Sequence, residues 1–268
     1  MEVTDIADPA DTWRQSLAEW AIPQEILDSA PESPWGFPTE VFTKAAEHAV
    51  SDPDRPSRRR ALEALDEGAS VLDVGVGGGA ASLPLAPPSG LLVGVDQSAE
   101  LLASFALACD RRGIAHREVH GSWPAVAPEV EQADVVVCHH VFYNVADLVP
   151  FVAALTDHAR RRVVVELTDR HPMIRLNPLW KALHGIDRPT RPTADDAEAV
   201  LASMGLDVGR DEAERPSPLD HVDRAEMVAH ARRRLCVGPD RDAEIDAMLD
   251  RGPGPVRRSV TLWWDVGG

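Results

Sequence analysis

Val71-Leu-Asp-Val-Gly-Val-Gly-Gly-Gly79 places an apolar run with a single acid, Asp73, directly before four glycines within five positions. An apolar run that passes at once into glycines predicts a buried strand that ends in a tight turn. Glycine permits positive φ at such a turn, and it lets a ligand approach the main chain without a Cβ in the way. The stretch therefore predicts a nucleotide-binding corner at the carboxyl end of a strand in an α/β sheet, with a helix starting after the turn.

Two classes of nucleotide ligand fit this corner. Gly75-x-Gly77-x-x-Ala80 matches the loose dinucleotide pattern, and Asp96 ends a second apolar run about 20 residues further on, where that pattern expects a ribose-binding acid. The same stretch also matches Asp-x-Gly-x-Gly-x-Gly from Asp73 to Gly79. This second pattern resembles motif I of the class I S-adenosylmethionine-dependent methyltransferases.

The charge of Asp73 favours the methyl donor over the dinucleotide. A dinucleotide places a pyrophosphate over the glycine turn, and a carboxylate two residues before the first glycine would repel it. S-adenosylmethionine has no phosphate there, and its ammonium and sulfonium cations are attracted by such a carboxylate. The sequence therefore predicts S-adenosyl-L-methionine as the cofactor, with a nicotinamide dinucleotide as the alternative.

Length and charge limit the remaining classes of protein. The chain has 268 residues, of which 44% are hydrophobic, so it can bury a sizeable core as one large domain or a domain with an added cap. Its formal net charge of −17 repels phosphate backbones, and no nucleic-acid partner is expected. Three arginine triplets lie beside apolar helical or strand runs, as flanking surface charge does: Arg58–Arg60, Arg160–Arg162 and Arg232–Arg234.

The cysteines and the N-terminus bear on the compartment. Three widely spaced cysteines without a C-x-x-C pair argue against a disulfide framework or a zinc site, and no metal is predicted. The N-terminus has no basic-then-apolar signal pattern, and no apolar stretch approaches the roughly 18 residues of a membrane span. We expect a cytoplasmic protein without a membrane partner, of an oligomeric state that the sequence leaves open.

Strands and helices alternate from Ser70 to Thr168, and a β-rich pattern closes the chain at Arg258 to Trp264. This alternation predicts an α/β fold with a doubly wound, mostly parallel sheet and helices on both faces. The expected divisions are an N-terminal helical and aromatic cap segment over 1–57, a cofactor-binding domain over 58–268, a lid or acceptor-site segment over 169–193 and a helical insertion over 209–257.

The order of these elements is similar to the seven-stranded fold of the class I methyltransferases. The resemblance covers roughly Arg58 to the C-terminus, and it implies that the last strand inserts antiparallel between strands 5 and 6. Cys138-His-His-Val-Phe-Tyr-Asn144 follows strand 4 in place of the Asn/Asp/Ser-Pro-Pro-Tyr/Phe motif. The branch of the family that methylates amino groups of nucleobases or glutamine is therefore disfavoured.

The resemblance implies a cofactor site at the ends of strands 1 to 4. Asp73 would lie near the ammonium of the cofactor, and Asp96 would accept hydrogen bonds from both ribose hydroxyls, with a helix cap as its alternative role. Ser122 replaces the acid that often holds the adenine amino group, and Trp123 either stacks on the adenine or belongs to the core. The implied residues are Asp73, Gly75, Gly77, Gly78, Gly79, Asp96, Gln97, Ser122, Trp123 and His139.

The acceptor site is expected between the aromatic N-terminal segment and the segment after strand 5. The candidate substrate-binding residues are Trp35, Phe37, Arg175 and Trp180, and the alternative for the aromatic ones is the core of the added helices. The candidate catalytic residues are His140, Tyr143 and His171. Histidine can act as a general base at neutral pH, whereas simple packing at a strand end is the alternative role for His140.

Methyl transfer from S-adenosylmethionine to a small-molecule acceptor is the predicted activity, and the sequence does not identify the acceptor. Two other classes of function share the glycine corner. One is an NAD-dependent oxidoreductase with a Rossmann fold, and the other is a non-catalytic S-adenosylmethionine-binding partner protein.

Overall fold

A seven-stranded mixed sheet forms the centre of the protein. The computed structural model describes residues 8–35, 39–215, 223–249 and 257–267. The strands are β1 (Ser70–Val74), β2 (Leu91–Asp96), β3 (His116–His120), β4 (Ala133–His139), β5 (Ala159–Thr168), β6 (Gly209–Arg215) and β7 (Arg257–Asp265). They lie in the order β3-β2-β1-β4-β5-β7-β6, and β7 runs antiparallel to both of its neighbours. The expected antiparallel insertion of the last strand is confirmed.

Strand β1 forms with the predicted bounds and lies in the middle of the sheet. Val71, Leu72 and Val74 are each at most 1% exposed. Leu72 and Val74 belong to one core cluster, whereas Val71 belongs to a second cluster. Because successive side chains of a strand point to opposite faces, these two clusters are the cores on the two sides of the sheet.

Helices pack against both sides of the sheet. Helices α1, α6 and α8 contribute to the core cluster that contains Leu72, and α3, α4 and α5 contribute to the cluster that contains Val71. Helices α7, α9 and α10 share a third, separate cluster around Trp180. Their bounds are α1 (Pro9–Ala18), α2 (Gln24–Ser29), α3 (Thr39–Val50), α4 (Pro56–Leu62), α5 (Ala99–Asp110), α6 (Leu148–His158), α7 (Asn177–His184), α8 (Ala194–Ser203), α9 (Arg224–Arg234) and α10 (Asp242–Leu249).

One local prediction about the elements is wrong. The glycine turn does not lead into an α-helix, because turns cover residues 77–82 and only a 3₁₀ turn follows at Leu83–Leu85. Pro84 lacks the N–H that a helix interior needs, and Pro87 and Pro88 prevent a longer helix.

The N-terminal segment is anchored onto the sheet domain by two indoles. Trp13 is fully buried, and its Nε1 donates to the carbonyl of Val145 at 2.8 Å. The Nε1 of Trp20 donates to the carbonyl of Arg191 at 2.5 Å. The expected boundary between residues 57 and 58 falls inside α4. In the described part of the chain, no helix is long and apolar enough to cross a membrane.

Candidate functional site

A large cleft opens at the carboxyl ends of the central strands. Its volume is about 2010 Å³, twice the upper end of the range of roughly 300–1,000 Å³ that small-molecule sites usually have. The cleft therefore has room for two ligands side by side. Twelve of the predicted site residues line it: Asp73, Gly75, Gly77, Gly78, Asp96, Gln97, Ser122, Trp123, His139, His140, His171 and Arg175.

The glycine turn forms one wall of the cleft, and two of its positions require glycine. Gly75 has a φ of 76°, and a Cβ there would overlap the side chain of Val141. A Cβ on Gly78 would lie 2.6 Å from the carbonyl oxygen of Phe42 in α3. A larger residue at either position would displace Val141, which follows β4, or helix α3. The turn therefore leaves its main chain open to close approach by a ligand.

Asp73 presents a buried carboxylate with one oxygen still unpaired. The residue is 1% exposed, and its Oδ2 accepts from the hydroxyl of Ser82 at 2.6 Å. Its Oδ1 is buried without a hydrogen-bond partner. Burial raises the pKa of Asp73 to about 7, against the opposing hydrogen bond from Ser82 and with a smaller contribution from the charge of Asp96. A buried carboxylate of this kind suits a ligand that brings a positive charge.

Asp96 ties the glycine turn to the start of α5. Its Oδ2 accepts from the backbone N–H of Gly77 and its Oδ1 from the backbone N–H of Ser98, each at 2.9 Å. The N-cap of α5 is Ser98, whose hydroxyl accepts from the N–H of Leu101 at 3.3 Å. A carboxylate oxygen can accept a second hydrogen bond, so Asp96 retains capacity for a ligand hydroxyl.

Residues at the ends of β2, β3 and β4 line the cleft with one aromatic ring and several polar groups. Trp123 is 7% exposed and donates from Nε1 to the carbonyl of Phe151 at 3.3 Å, so it belongs to the core while also lining the cleft. Ser122 and Gln97 are exposed beside it. Both ring nitrogens of His139 are buried without a partner, and burial lowers the pKa of this imidazole to about 4. His139 is therefore neutral at pH 7, with a donor and an acceptor both unused.

His140 faces the cleft beside a buried acid that the sequence analysis missed. Its Nε2 lies 3.3 Å from Oε1 of Glu166, a β5 residue that is 3% exposed. The hydroxyl of Ser57 donates to Oε2 of Glu166 at 2.5 Å, and the guanidinium of Arg55 lies 4.0 Å from Oε1. Burial alone would raise the pKa of Glu166, but His140 and Arg55 hold it well below its usual range. A signal was present, since Glu166 interrupts an otherwise apolar run in β5.

His171 occupies the cleft but is poorly suited to take up a proton. Its ring stacks on Trp20 with the centroids 3.8 Å apart, and burial followed by the charge of Arg188 lowers its pKa to about 4. Its Nδ1 accepts from the N–H of Met173 at 3.3 Å. A neutral imidazole that accepts at Nδ1 carries its proton on Nε2. His171 therefore offers a ligand an N–H donor rather than a free lone pair.

Four of the predicted site residues that the structure describes are not among the residues that line the cleft. Tyr143 is 6% exposed and donates its hydroxyl to the carbonyl of Thr168 at 2.8 Å, so this hydroxyl already has a hydrogen-bond partner. Trp180 is 3% exposed within the third cluster, and Gly79 packs against Leu83. Trp35 is 59% exposed. Phe37 lies outside the described residues.

The far half of the cleft is lined by residues that sequence reasoning did not select. Most are apolar, and they come from the segment after β5 and from α9 and α10, which are distant in sequence: Met173, Ile174, Leu176, Pro178, Leu179, Met227, Ala231, Met248 and Leu249. His230 of α9 adds a polar group, and burial lowers its pKa to about 4. Among the described residues, no group of three or more His, Cys, Asp or Glu side chains could hold a metal ion.

Comparison with known proteins relates this architecture to methyltransferases. Residues 72–163 match the family model described as a methyltransferase domain. A methyltransferase from Thiobacillus denitrificans, solved with S-adenosylhomocysteine, is similar at a TM-score of 0.52 and 20% identity over 86% of this chain and 98% of that chain. Magnesium protoporphyrin IX methyltransferase from Synechocystis PCC 6803, also with bound S-adenosylhomocysteine, gives 0.53 and 14% over 97% and 100%.

A third solved structure shares the fold. The YcgJ protein from Bacillus subtilis matches at a TM-score of 0.55 and 13% identity, over 83% of this chain and 99% of that chain. No curated protein sequence matches the chain. At identities this low the structural likeness speaks for the fold, and the match to the methyltransferase domain speaks for the chemistry.

Proposed function

We propose that this chain, whose residues 72–163 match a methyltransferase domain, is a class I S-adenosylmethionine-dependent methyltransferase that methylates a small molecule held in the far half of the cleft. The observation that carries this proposal is the unpaired Oδ1 of Asp73 in a buried wall beside the glycine turn. The ammonium of the cofactor supplies the positive charge and the donors that this oxygen lacks.

The residues around the glycine turn fit the rest of the cofactor. Asp96 would accept from the ribose hydroxyls while it keeps its backbone partners. Ser122, Trp123 and Gln97 would surround the adenine, since they line the same cleft at the ends of β2 and β3. His139 would offer its unused ring nitrogens near the methionine part. Gly75, Gly77 and Gly78 would let the cofactor approach the main chain.

The acceptor is proposed to have a largely apolar body. The far half of the cleft carries three methionines, Met173, Met227 and Met248, whose flexible side chains adapt to irregular ligands. Arg175 and His171 add polar contacts at its edge. The segment over 169–193 would then serve as the acceptor-site wall and the insertion over 209–257 as its cover, whereas the net charge of −17 disfavours a nucleic-acid acceptor.

The reaction would be an in-line displacement at carbon. When bound, the cofactor supplies a methyl group on a sulfonium, an activated electrophile. The chain contributes placement, because the glycine turn and Asp96 fix one reactant and the apolar half of the cleft fixes the other. The apolar side chains of α9 and α10 that line the cleft would exclude water from the acceptor, so the methyl group would meet the acceptor rather than solvent.

Calorimetry with S-adenosylhomocysteine tests the site. We expect binding with a dissociation constant below about 1 mM, the equivalent of roughly 4 kcal/mol, because the charged wall at Asp73 and the ribose acceptor at Asp96 are both in place. NAD is the control ligand, and its pyrophosphate should give no heat beside the Asp73 carboxylate. Binding of NAD without binding of S-adenosylhomocysteine would reject the proposed cofactor site.

A non-catalytic binding protein would bind the cofactor equally well, so turnover is the second criterion. The cleft continues past His140 into the far half, and its lining there is apolar and accessible to a ligand. This continuity favours an enzyme over a binding partner, because a mere cofactor reservoir has no need of a second compartment.

A further inference from the structure

We propose that Glu166 positions His140 as the proton acceptor of methyl transfer, so that the methylated group is one that gives up a proton, such as a hydroxyl. This inference rests on the proposed function of the cleft. The contact between Nε2 of His140 and Oε1 of Glu166, at 3.3 Å, directs that edge of the ring toward the acid. Nδ1, the other ring nitrogen, is then the one that takes up a proton.

Glu166 is fixed on three sides. Ser57 donates to Oε2 at 2.5 Å, Arg55 lies 4.0 Å from Oε1, and the carboxylate is buried in the middle of the sheet. Arg55 in turn lies 3.5 Å from Asp52. A carboxylate held this firmly cannot swing away, so it can orient the imidazole in the way that the acid of a His–acid pair does in other enzymes.

The backbone of His140 is adapted to this position. Its φ is 59°, in the left-handed region that residues other than glycine rarely adopt, and its N–H donates to the carbonyl of Glu166 at 2.6 Å. Such a conformation is strained for a residue with a side chain and persists only where the surroundings fix it, commonly at functional sites. Both the main-chain N–H and the side chain of His140 therefore contact the same residue of β5, Glu166.

The strand order places the pair between the two halves of the cleft. The proposed cofactor site lies at the ends of β1 and β2, whereas His140 directly follows β4 and Glu166 lies on β5, the next strands along the sheet. The far half of the cleft begins beyond β5, at residues 168–176. His140 is 44% exposed as a side chain, so its ring is open to a ligand at this junction.

The proton balance is complete without a further reagent. The acceptor oxygen forms a bond to the methyl carbon as the bond from that carbon to sulfur breaks, and sulfur keeps the electron pair as a neutral thioether. The hydroxyl proton passes to Nδ1 of His140. Glu166 stays ionised throughout and stabilises the imidazolium that forms.

The charged and titratable groups that face His140 are consistent with transfer of the proton from the acceptor hydroxyl to its ring. Glu166 is the contacting acid, His139 is neutral at pH 7, and Arg55 lies behind Glu166 as its counter-ion. Asp169 and Arg170 line the cleft nearby.

Alkylation by iodoacetamide tests the orientation of the ring, and the regiochemistry is read on the isolated His140 peptide by NMR. We expect the wild-type protein to react at Nδ1, because Glu166 occupies the side of Nε2. In Glu166→Gln the charge is gone, so we expect slower reaction and loss of the Nδ1 preference, while Glu166→Asp should restore part of it. Exposed His120 reports that the reagent is active.

Glu118→Gln is the matched control, since Glu118 pairs with His116 at 2.5 Å on β3, away from the cleft residues. It should leave the His140 products unchanged. Reaction of wild-type His140 at Nε2, or no reaction under conditions that modify His120, would overturn the proposal, and neither result needs a variant to fold. Nδ1 selectivity that survives Glu166→Gln would also overturn it, because the selectivity would then not depend on the carboxylate.

Calorimetry with S-adenosylhomocysteine on the same samples separates this inference from the proposed function. Glu166 does not line the cleft, so Glu166→Gln should bind the ligand as the wild type does. A wild-type protein that is alkylated at Nδ1 but binds no S-adenosylhomocysteine would leave the His140 geometry intact and reject the cofactor site. A wild-type protein that binds S-adenosylhomocysteine but is not alkylated at Nδ1 would retain the cofactor site and reject the role of Glu166.

Discussion

Asp73→Asn is expected to stabilise the ligand-free protein at pH 8 and to remove most of its affinity for S-adenosylhomocysteine. The pKa of Asp73 is raised from 3.8 to about 7, mainly by burial. The stability that its protonated form contributes is therefore fully present below pH 3.8 and is lost as the pH rises through about 7. A shift of roughly three units corresponds to about 4 kcal/mol at most. Asn avoids this penalty because it stays neutral.

The same substitution removes the charge that attracts the ammonium. A hydrogen bond to a charged group contributes about 1.5–3 kcal/mol, so affinity should fall by roughly 10- to 150-fold. Thermal unfolding and calorimetry at pH 8 measure the two effects. The matched control is the same pair of proteins at pH 4, where Asp73 is mostly protonated and the difference in stability should shrink.

The number of protons released when the ligand binds provides an independent check on the role of Asp73. Binding of a cation next to a carboxylate with a pKa of about 7 should release a proton near neutral pH, which appears as a dependence of the measured heat on the ionisation enthalpy of the buffer. Asp73→Asn should abolish that dependence. A variant that binds S-adenosylhomocysteine as tightly as the wild type at pH 8 would show that Asp73 does not contact the ammonium.

Asp96→Ala is expected to weaken both the cofactor site and the fold. The carboxylate accepts two backbone N–H groups, from Gly77 and Ser98, and loss of such capping contacts costs about 0.5–2 kcal/mol of stability. Loss of the proposed ribose contact should weaken binding of S-adenosylhomocysteine by about 1.5–3 kcal/mol. Chemical denaturation and calorimetry separate these two quantities.

Ser98→Ala is the control for the structural part of this effect. It removes the N-cap hydroxyl of α5 but no group proposed to touch the ribose. We expect a similar loss of stability with little change in affinity. If Asp96→Ala also leaves the affinity unchanged, Asp96 is only a structural link between the glycine turn and α5.

The half of the cleft proposed to hold the cofactor was predictable because it depends on local patterns. The apolar run and glycines of 71–79 predict β1 with its observed bounds, and the spacing to Asp96 predicts an acid at the end of β2. The helix predicted after the turn is absent because Pro84, Pro87 and Pro88 outweigh the general rule for such turns.

The acceptor half was not predictable from the sequence, because it depends on long-range contacts. Met227 and Met248 reach the cleft only through the packing of α9 and α10, and nothing in their local pattern distinguishes them from core residues. Tyr143 shows the converse problem: the sequence could not tell that its hydroxyl is already used by the carbonyl of Thr168. Glu166 was detectable as a charge in a buried strand, but its partner Ser57 lies 109 positions away.

The segment before the glycine turn limits how far this enzyme can be shortened from its N-terminus. Phe42 of α3 rests against the turn, and Arg55 and Ser57 hold the acid beneath His140. A truncated chain that starts at residue 58 would retain every glycine and both aspartates of the motif, yet it would lack Phe42, which packs against the turn, and the two residues that hold Glu166 beside the proposed proton acceptor. The smallest functional part of the chain is therefore larger than the part that carries the cofactor motif. Exchange of the residues before 58 between related enzymes would alter cofactor residence time and proton transfer together.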